Sequence, residues 1–182
     1  MIDEIMSLME ARRVPESAVS EMVVSPRTVI LREGEVADRI YYIRSGCLRL
    51  AFNNDGKDVT FQFFFPGGVV ASFDSWRSAA SSQFSIISIE RSELVALDGT
   101  AFKSLIMSDE TLRNEYVGYI ESRFHTYQQL FLSRIRNTPE QRYKELLEQN
   151  PEIVRRIPQH YIASYLGITS VSLSRIRSRL GH

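Results

Sequence analysis

Between Pro26 and about Leu97 the chain is cut into short runs rich in Val, Ile, Phe, Tyr and Thr: RTVILR, RIYYIRS, CLRLAFN, DVTFQFFF, QFSIISIE and ELVAL. Turn residues separate them, among them Glu33-Gly34-Glu35, Ser45-Gly46 and Pro66-Gly67-Gly68. Asn53-Asn54-Asp55-Gly56 joins two of the runs, and an Asp-Gly pair in that setting predicts a hairpin, because Gly accepts the positive φ that a tight turn requires. No long helical pattern intervenes to carry a crossover. The strands must therefore close on one another as a sandwich, jelly roll or barrel.

Near Asp98 the texture changes and stays helical to the end. Tyr116, Ile120, Phe124, Tyr127 and Phe131 recur at helical spacing, with Glu121, Arg123, Gln128 and Gln129 between them, predicting one amphipathic helix of about 25 residues. Such an aromatic stripe is packing rather than a cofactor box, and a helix this long can serve the sheet on one side and a second subunit on the other. Thr138-Pro139-Glu140-Gln141 reads as a capping box that ends this helix and starts a shorter one, EQRYKELLEQN. Pro151 and Pro158 bracket a further piece, EIVRRI. At the other end, Ile2, Ile5, Met6, Leu8 and Met9 predict a helical lead-in, and a second short helical stretch is expected after Pro15-Glu16-Ser17.

Charge adds a constraint that the total conceals. The 22 Lys and Arg cancel the 22 Asp and Glu, yet residues 153–182 contain five Arg and no acid, leaving residues 1–152 at a net −5. A basic end on an acidic body points to a polyanionic partner. Within that end, PQHYIASYLGITSVSLSRIRSRLGH places apolar residues at Ile162, Ala163, Leu166, Ile168, Val171, Leu173, Ile176 and Leu180, as two helices would. Ala163 allows close approach, Gly167 suits the left-handed turn, Ile168 plugs the core, and Thr169 or Ser170 caps the second helix. This is a helix-turn-helix pattern. The expected nucleic-acid contacts are Thr169, Ser170, Ser172, Arg175, Arg177 and Arg179: Arg for guanine or phosphate, hydroxyls and capping N–H groups for phosphate. Arg155 and Arg156 either extend that surface or form a solvated pair.

The order of elements, with VILREGEVADRIYYIRSGCLRLAFNNDGKDVTFQFFFPGG and IASYLGITSVSLSRIR, resembles the Crp/Fnr superfamily of bacterial transcription regulators over about residues 20–180. The resemblance implies an α+β chain: a double-stranded β-helix (jelly roll) of the cyclic-nucleotide-binding type with its lead-in at 1–110, a dimerisation helix at 111–137, and a small helix-turn-helix domain at 138–182. The chain stops at His182, so this domain is expected to lack the family's full β wing. A homodimer, double-stranded DNA, an effector in each roll and contact with RNA polymerase are implied as partners. In the family's nucleotide cassette a Gly-Glu pair binds ribose and an Arg meets the cyclic phosphate. Here Ala71-Ser72 stands in the first place and Ser81-Ser82-Gln83 in the second, with Arg77 in the intervening turn. The candidate effector contacts are thus Ala71, Ser72, Phe73, Ser81, Ser82 and Gln83. With no paired cation for a phosphate, another small molecule, a relic pocket and a cyclic nucleotide all stay open. At the start of the recognition helix Ser170 and Val171 replace the family's Arg-Glu pair, and only Arg175 carries over.

Other chemistries have little to work with. His125, His160 and His182 all lie outside residues 26–97, which argues against a metal or haem held by the roll, and no cofactor is expected. Cys47 is the lone cysteine and reads as a small buried residue rather than a sensor thiol. No nucleophile elbow, phosphate loop or dinucleotide fingerprint appears, so an enzyme is not expected. The acidic start and the lack of a long apolar run predict a cytoplasmic protein without membrane partners. The competing reading is an interaction or ligand-binding module whose helix-turn-helix has degenerated.

Overall fold

The computed structural model describes residues 15–149 and 151–181. The predicted lead-in helix at the N-terminus lies outside them. The second helical stretch expected after Pro15 is instead a single 3-10 turn, Glu16–Ala18, that leads into strand β1, Val19–Val24. VSEMVV becomes a strand because β8, Ser92–Asp98, pairs antiparallel with it over its whole length, from Val19 opposite Leu97 to Val24 opposite Ser92.

The six runs all form strands: β2 Val29–Leu31, β3 Arg39–Ser45, β4 Leu48–Asn54, β5 Lys57–Phe64, β7 Ser85–Ser88 and β8. With β1 and the short β6, Val69–Val70, they make two four-stranded antiparallel sheets ordered β1-β8-β3-β6 and β2-β7-β4-β5. Ile43, Leu48, Leu50, Val70, Ile86 and Leu94 from both sheets fill the space between them. Asp55 at φ 51° and Gly56 at φ 84° turn the β4–β5 hairpin, and the Gly56 N–H donates to Asn53 Oδ1 at 2.8 Å.

The outer faces of the roll are also covered by helices. Helix α1, Phe73–Ser78, follows β6; α2, Gly99–Ser108, and the start of α3, Glu110–Arg136, pack Phe102, Ile106 and Leu112 against Ile40, Val69 and Leu97. The second sheet is covered by α4 Pro139–Gln149, α5 Pro151–Arg156, α6 Gln159–Leu166 and α7 Ser170–Arg179. Cys47 and Phe63 of the roll share one cluster with Tyr143, Leu146, Ile162 and Leu173 of those helices. The predicted capping box starts α4: Gln141 N–H donates to Thr138 Oγ1 at 3.3 Å and Thr138 N–H to Gln141 Oε1 at 2.8 Å. No described helix is long and apolar enough to cross a membrane.

Candidate functional site

Helices α6 and α7 meet at a turn made by Gly167, which sits at φ 69°, ψ 33°. The Gly167 N–H bonds Ser164 O at 2.9 Å and the Ile168 N–H bonds Ala163 O at 3.0 Å, closing the end of α6. Its last carbonyls are taken by arginines from outside: Arg134 on α3 donates to Tyr165 O at 2.8 Å, and Arg142 on α4 to Leu166 O at 2.9 Å. Thr169 caps α7 by accepting from the Ser172 N–H at 3.1 Å. Ile162, Ala163, Leu166, Leu173 and Ile176 form the small core between the two helices.

The outward side of α7 differs in detail from the expected set. Ser170, Arg175 and Arg179 are exposed. Ser172 is half-buried, with its hydroxyl 3.0 Å from Thr169 Oγ1, so both side chains serve the cap. Arg177 is half-buried too, one turn from Leu173, and its Nε is buried without a hydrogen-bond partner among the described residues. Arg179 is paired with Glu140 at 3.0 Å. Val171, expected in the core, is 62% exposed. A helix turns about 200° over two residues, so Val171 cannot share the face of Leu173. Ser174 and Ser178 complete the exposed face and were missing from the expected contacts; the same periodicity would have found them. The face therefore offers hydroxyls, the Arg175 guanidinium and one branched methyl pair at Val171, a set suited to phosphate, guanine and the thymine methyl respectively.

Arg156 has neither of the roles considered for it. It ion-pairs with Glu90, donates to Gly46 O at 3.1 Å and lies over the Phe65 ring at 5.3 Å, tying α5 to the roll. Arg155 is exposed.

Along α3, Ile120, Phe124, Tyr127 and Phe131 are exposed and continue through Val117 and Ile135 as an apolar seam with a repeat close to 3.5 residues. Tyr116 is not part of it. It turns inward, edge-on to Phe102 of α2 at 5.8 Å.

A cavity of about 330 Å³ lies between the roll and α3. Leu50, Phe61, Phe64 and Phe84 wall it on the roll side, Ala71 and Phe73 at the entry to α1, and Tyr119, Arg123 and Tyr127 on the α3 side. Tyr119 donates to Val69 O at 3.0 Å, and burial pushes its phenol up to about 12. Of the expected contacts only Ala71 and Phe73 line this space. Ser72 and Ser82 are buried against each other, Oγ to Oγ 2.9 Å, and Ser82 Oγ is 2.7 Å from Phe84 O. Ser81 and Gln83 are exposed outside the cavity, Ser81 in an isolated bridge with Val36, and Arg77 is exposed on α1. Arg123 was the missed residue; it sits between two stripe positions and looks solvated until α3 is laid on the roll.

Residues 21–109, which span the roll and α2, match the family Cyclic nucleotide-binding domain. Over the longer chain the similarity is to FixK2 from Bradyrhizobium japonicum, at 20% identity and TM-score 0.77 over 90% of this chain and 84% of that one. This is the Crp/Fnr fold. A cyclic nucleotide-binding domain containing protein from Listeria monocytogenes EGD-e shares it, at 18% identity and TM-score 0.73 over 97% of this chain and 89% of that one. So does the c-di-GMP responsive global regulator CLP of Xanthomonas campestris, at 15% identity and TM-score 0.70 over 91% and 87%. No curated protein matches the sequence.

Proposed function

We propose that the chain is a DNA-binding transcription regulator that works as a homodimer and answers to a small molecule held in the roll. The three working parts are residues 1–110, 111–137 and 138–182, which sense, dimerise and bind DNA. One observation carries the reading: α7 is capped, fixed on α6 by a small buried core, and presents an exposed face of Ser, Val and Arg with no acid. The similarity to a global regulator supports it. Ser170, Arg175 and Arg179 contact the duplex directly, while Thr169, Ser172 and Arg177 keep α7 in position. The Arg179–Glu140 pair exchanges its carboxylate for a phosphate on binding.

Control follows from where the cavity lies. Tyr119, Arg123 and Tyr127 line it from the same helix that carries Phe124 and Phe131, and Tyr127 belongs to the lining and the seam alike. A ligand that binds one setting of α3 on the roll better than another shifts the population of that setting, and with it the separation of two recognition helices in a dimer.

The test is titration of duplex DNA at several salt concentrations. A regulator shows an affinity that falls log-linearly with salt as phosphate counterions are released, and retains a preferred sequence under competition. Absence of binding even near 50 mM salt would overturn the reading in favour of an interaction module with a vestigial helix-turn-helix.

A further inference from the structure

We infer that the roll cavity takes a small, flat apolar acid whose carboxylate is met by Arg123 of the long helix, rather than a cyclic nucleotide held by the roll. The inference rests on the effector reading above and names the chemistry of that site.

The walls set the body of the ligand. Phe61, Phe64, Phe73 and Phe84 surround a space of about 330 Å³, room for an aromatic ring with a short side chain. Phe61 and Phe84 stand edge-to-face at 5.4 Å, leaving ring surface for a third aromatic group to join. A phosphodiester with its sugar hydroxyls would find little here. The roll contributes no cation to the lining, and the hydroxyls of Ser72 and Ser82 are taken by each other and, for Ser82, by Phe84 O. A phosphate held on the roll side would therefore be buried with neither a cation nor a free donor, and is strongly disfavoured there.

Arg123 sets the head. It is half-buried, 5.0 Å above the Phe64 ring and 4.9 Å from the Tyr127 ring, and it donates to Tyr127 Oη at 3.1 Å. It makes no ion pair among the described residues. A planar guanidinium held against two rings keeps its orientation and retains donors for a two-pronged bond to a carboxylate, at smaller ordering cost than a free surface Arg. Asp74 is the other charged group in the lining; it is exposed and solvated at the α1 end, so an acid enters with its charged group toward α3 and its apolar end toward the roll. The charge recognition is thereby placed on the helix that carries the dimer seam.

The experiment is calorimetric titration of the full chain with trans-cinnamate, its neutral amide and cyclic AMP. The acid is expected to bind at least about tenfold tighter than the amide, a ratio that Arg123→Gln abolishes and Arg123→Lys partly keeps. Near-ultraviolet circular dichroism establishes that both variants are folded. Equal affinity for acid and amide, an acid preference that survives in Arg123→Gln, no binding of cinnamate, or tighter binding of cyclic AMP would each overturn the inference. DNA titration is read separately. Binding of the acid without DNA binding would refute the regulator and leave the site standing; DNA binding without binding of the acid would do the reverse.

Discussion

The guanidinium of Arg49 on β4 lies 4.1 Å from the centre of the Tyr161 ring on α6. Arg49 is 3% exposed and is held from behind by Asp58 Oδ1 at 2.7 Å and Thr60 Oγ1 at 2.8 Å, both on β5. Beside it Ser164 of α6 accepts from the Thr60 N–H at 2.9 Å, and Tyr165 packs on Phe63 at 5.3 Å. The same two strands supply the cavity wall through Leu50, Phe61 and Phe64. An irregularity in the ladder makes this double use possible: Leu50 pairs with Gln62 but Ala51 with Thr60, so Phe61 is an extra residue and both Phe61 and Phe64 face inward while Thr60 and Phe63 face α6. Cavity wall and helix-turn-helix mount are thus opposite sides of one hairpin.

Loss of the stacked ring should therefore loosen the mount. Tyr161→Leu is expected to cost about 1–2 kcal/mol by removing a desolvated cation–π contact while keeping an apolar side chain. Urea unfolding measures it, and hydrogen exchange should rise in α6 and α7 more than in β8. A uniform rise would mean that Arg49 and Tyr161 serve the whole fold and not the mount.

The seam on α3 separates two aromatic residues of the same helix. Phe124 is 64% exposed, whereas Tyr116 is turned inward against Phe102. Phe124→Glu, with Phe131→Glu as a second variant, should turn the proposed dimer into a monomer in sedimentation equilibrium, because each would place a charge in the apolar contact that the seam would make. Tyr116→Phe should leave the dimer intact, since its ring packing survives without the hydroxyl. Dissociation by Tyr116→Phe would place the interface on another face.

Cys47 is fully buried beneath the helix-turn-helix domain, and burial, reinforced by Glu90, pushes its thiol up to about 12 from 9.0. The folded chain should resist iodoacetamide at pH 8 and react only as it opens. The linkage has a definite sign. Because the folded state holds the proton more tightly than the unfolded one, the thiol contributes stability that is fully present below pH 9.0 and is lost as pH rises from there toward about 12. Urea midpoints that decline across that range in the native chain, and decline less in Cys47→Ala, are the expected result.

What could be read from the residues divides along a physical line. Features set by a few neighbouring residues were legible: the Asp55-Gly56 hairpin, the Thr138 capping box, the left-handed Gly167 and the Thr169 cap all depend on local backbone geometry. Features set by distant partners were not. VSEMVV is a strand because β8 lies beside it, and β6 has only two residues with which to announce itself. The same divide runs through the sites. Arg175 was placed on the open face of α7 by its spacing alone, but the withdrawal of Ser72 and Ser82 from the cavity depends on how the β6–β7 segment folds back on itself, and Arg123 enters the lining only because α3 crosses the roll.

The arginines of α7 should separate by mechanism. Arg175 is exposed and without an ion pair among the described residues, so Arg175→Ala should weaken binding to the preferred sequence by about 1–3 kcal/mol, with little effect on non-specific DNA if it reads a base. Arg177 is half-buried against the α7 core, so Arg177→Ala should lower the unfolding midpoint and affect specific and non-specific DNA alike. Arg179 is held by Glu140 at 3.0 Å; Glu140→Gln removes a carboxylate that competes with phosphate and should tighten binding, most visibly at low salt. Fluorescence anisotropy with specific and scrambled duplexes at two salt concentrations resolves all three. If Arg177→Ala relaxed sequence preference without loss of stability, the base-reading role would belong to Arg177, and α7 would have to enter the groove rolled toward its present inner edge.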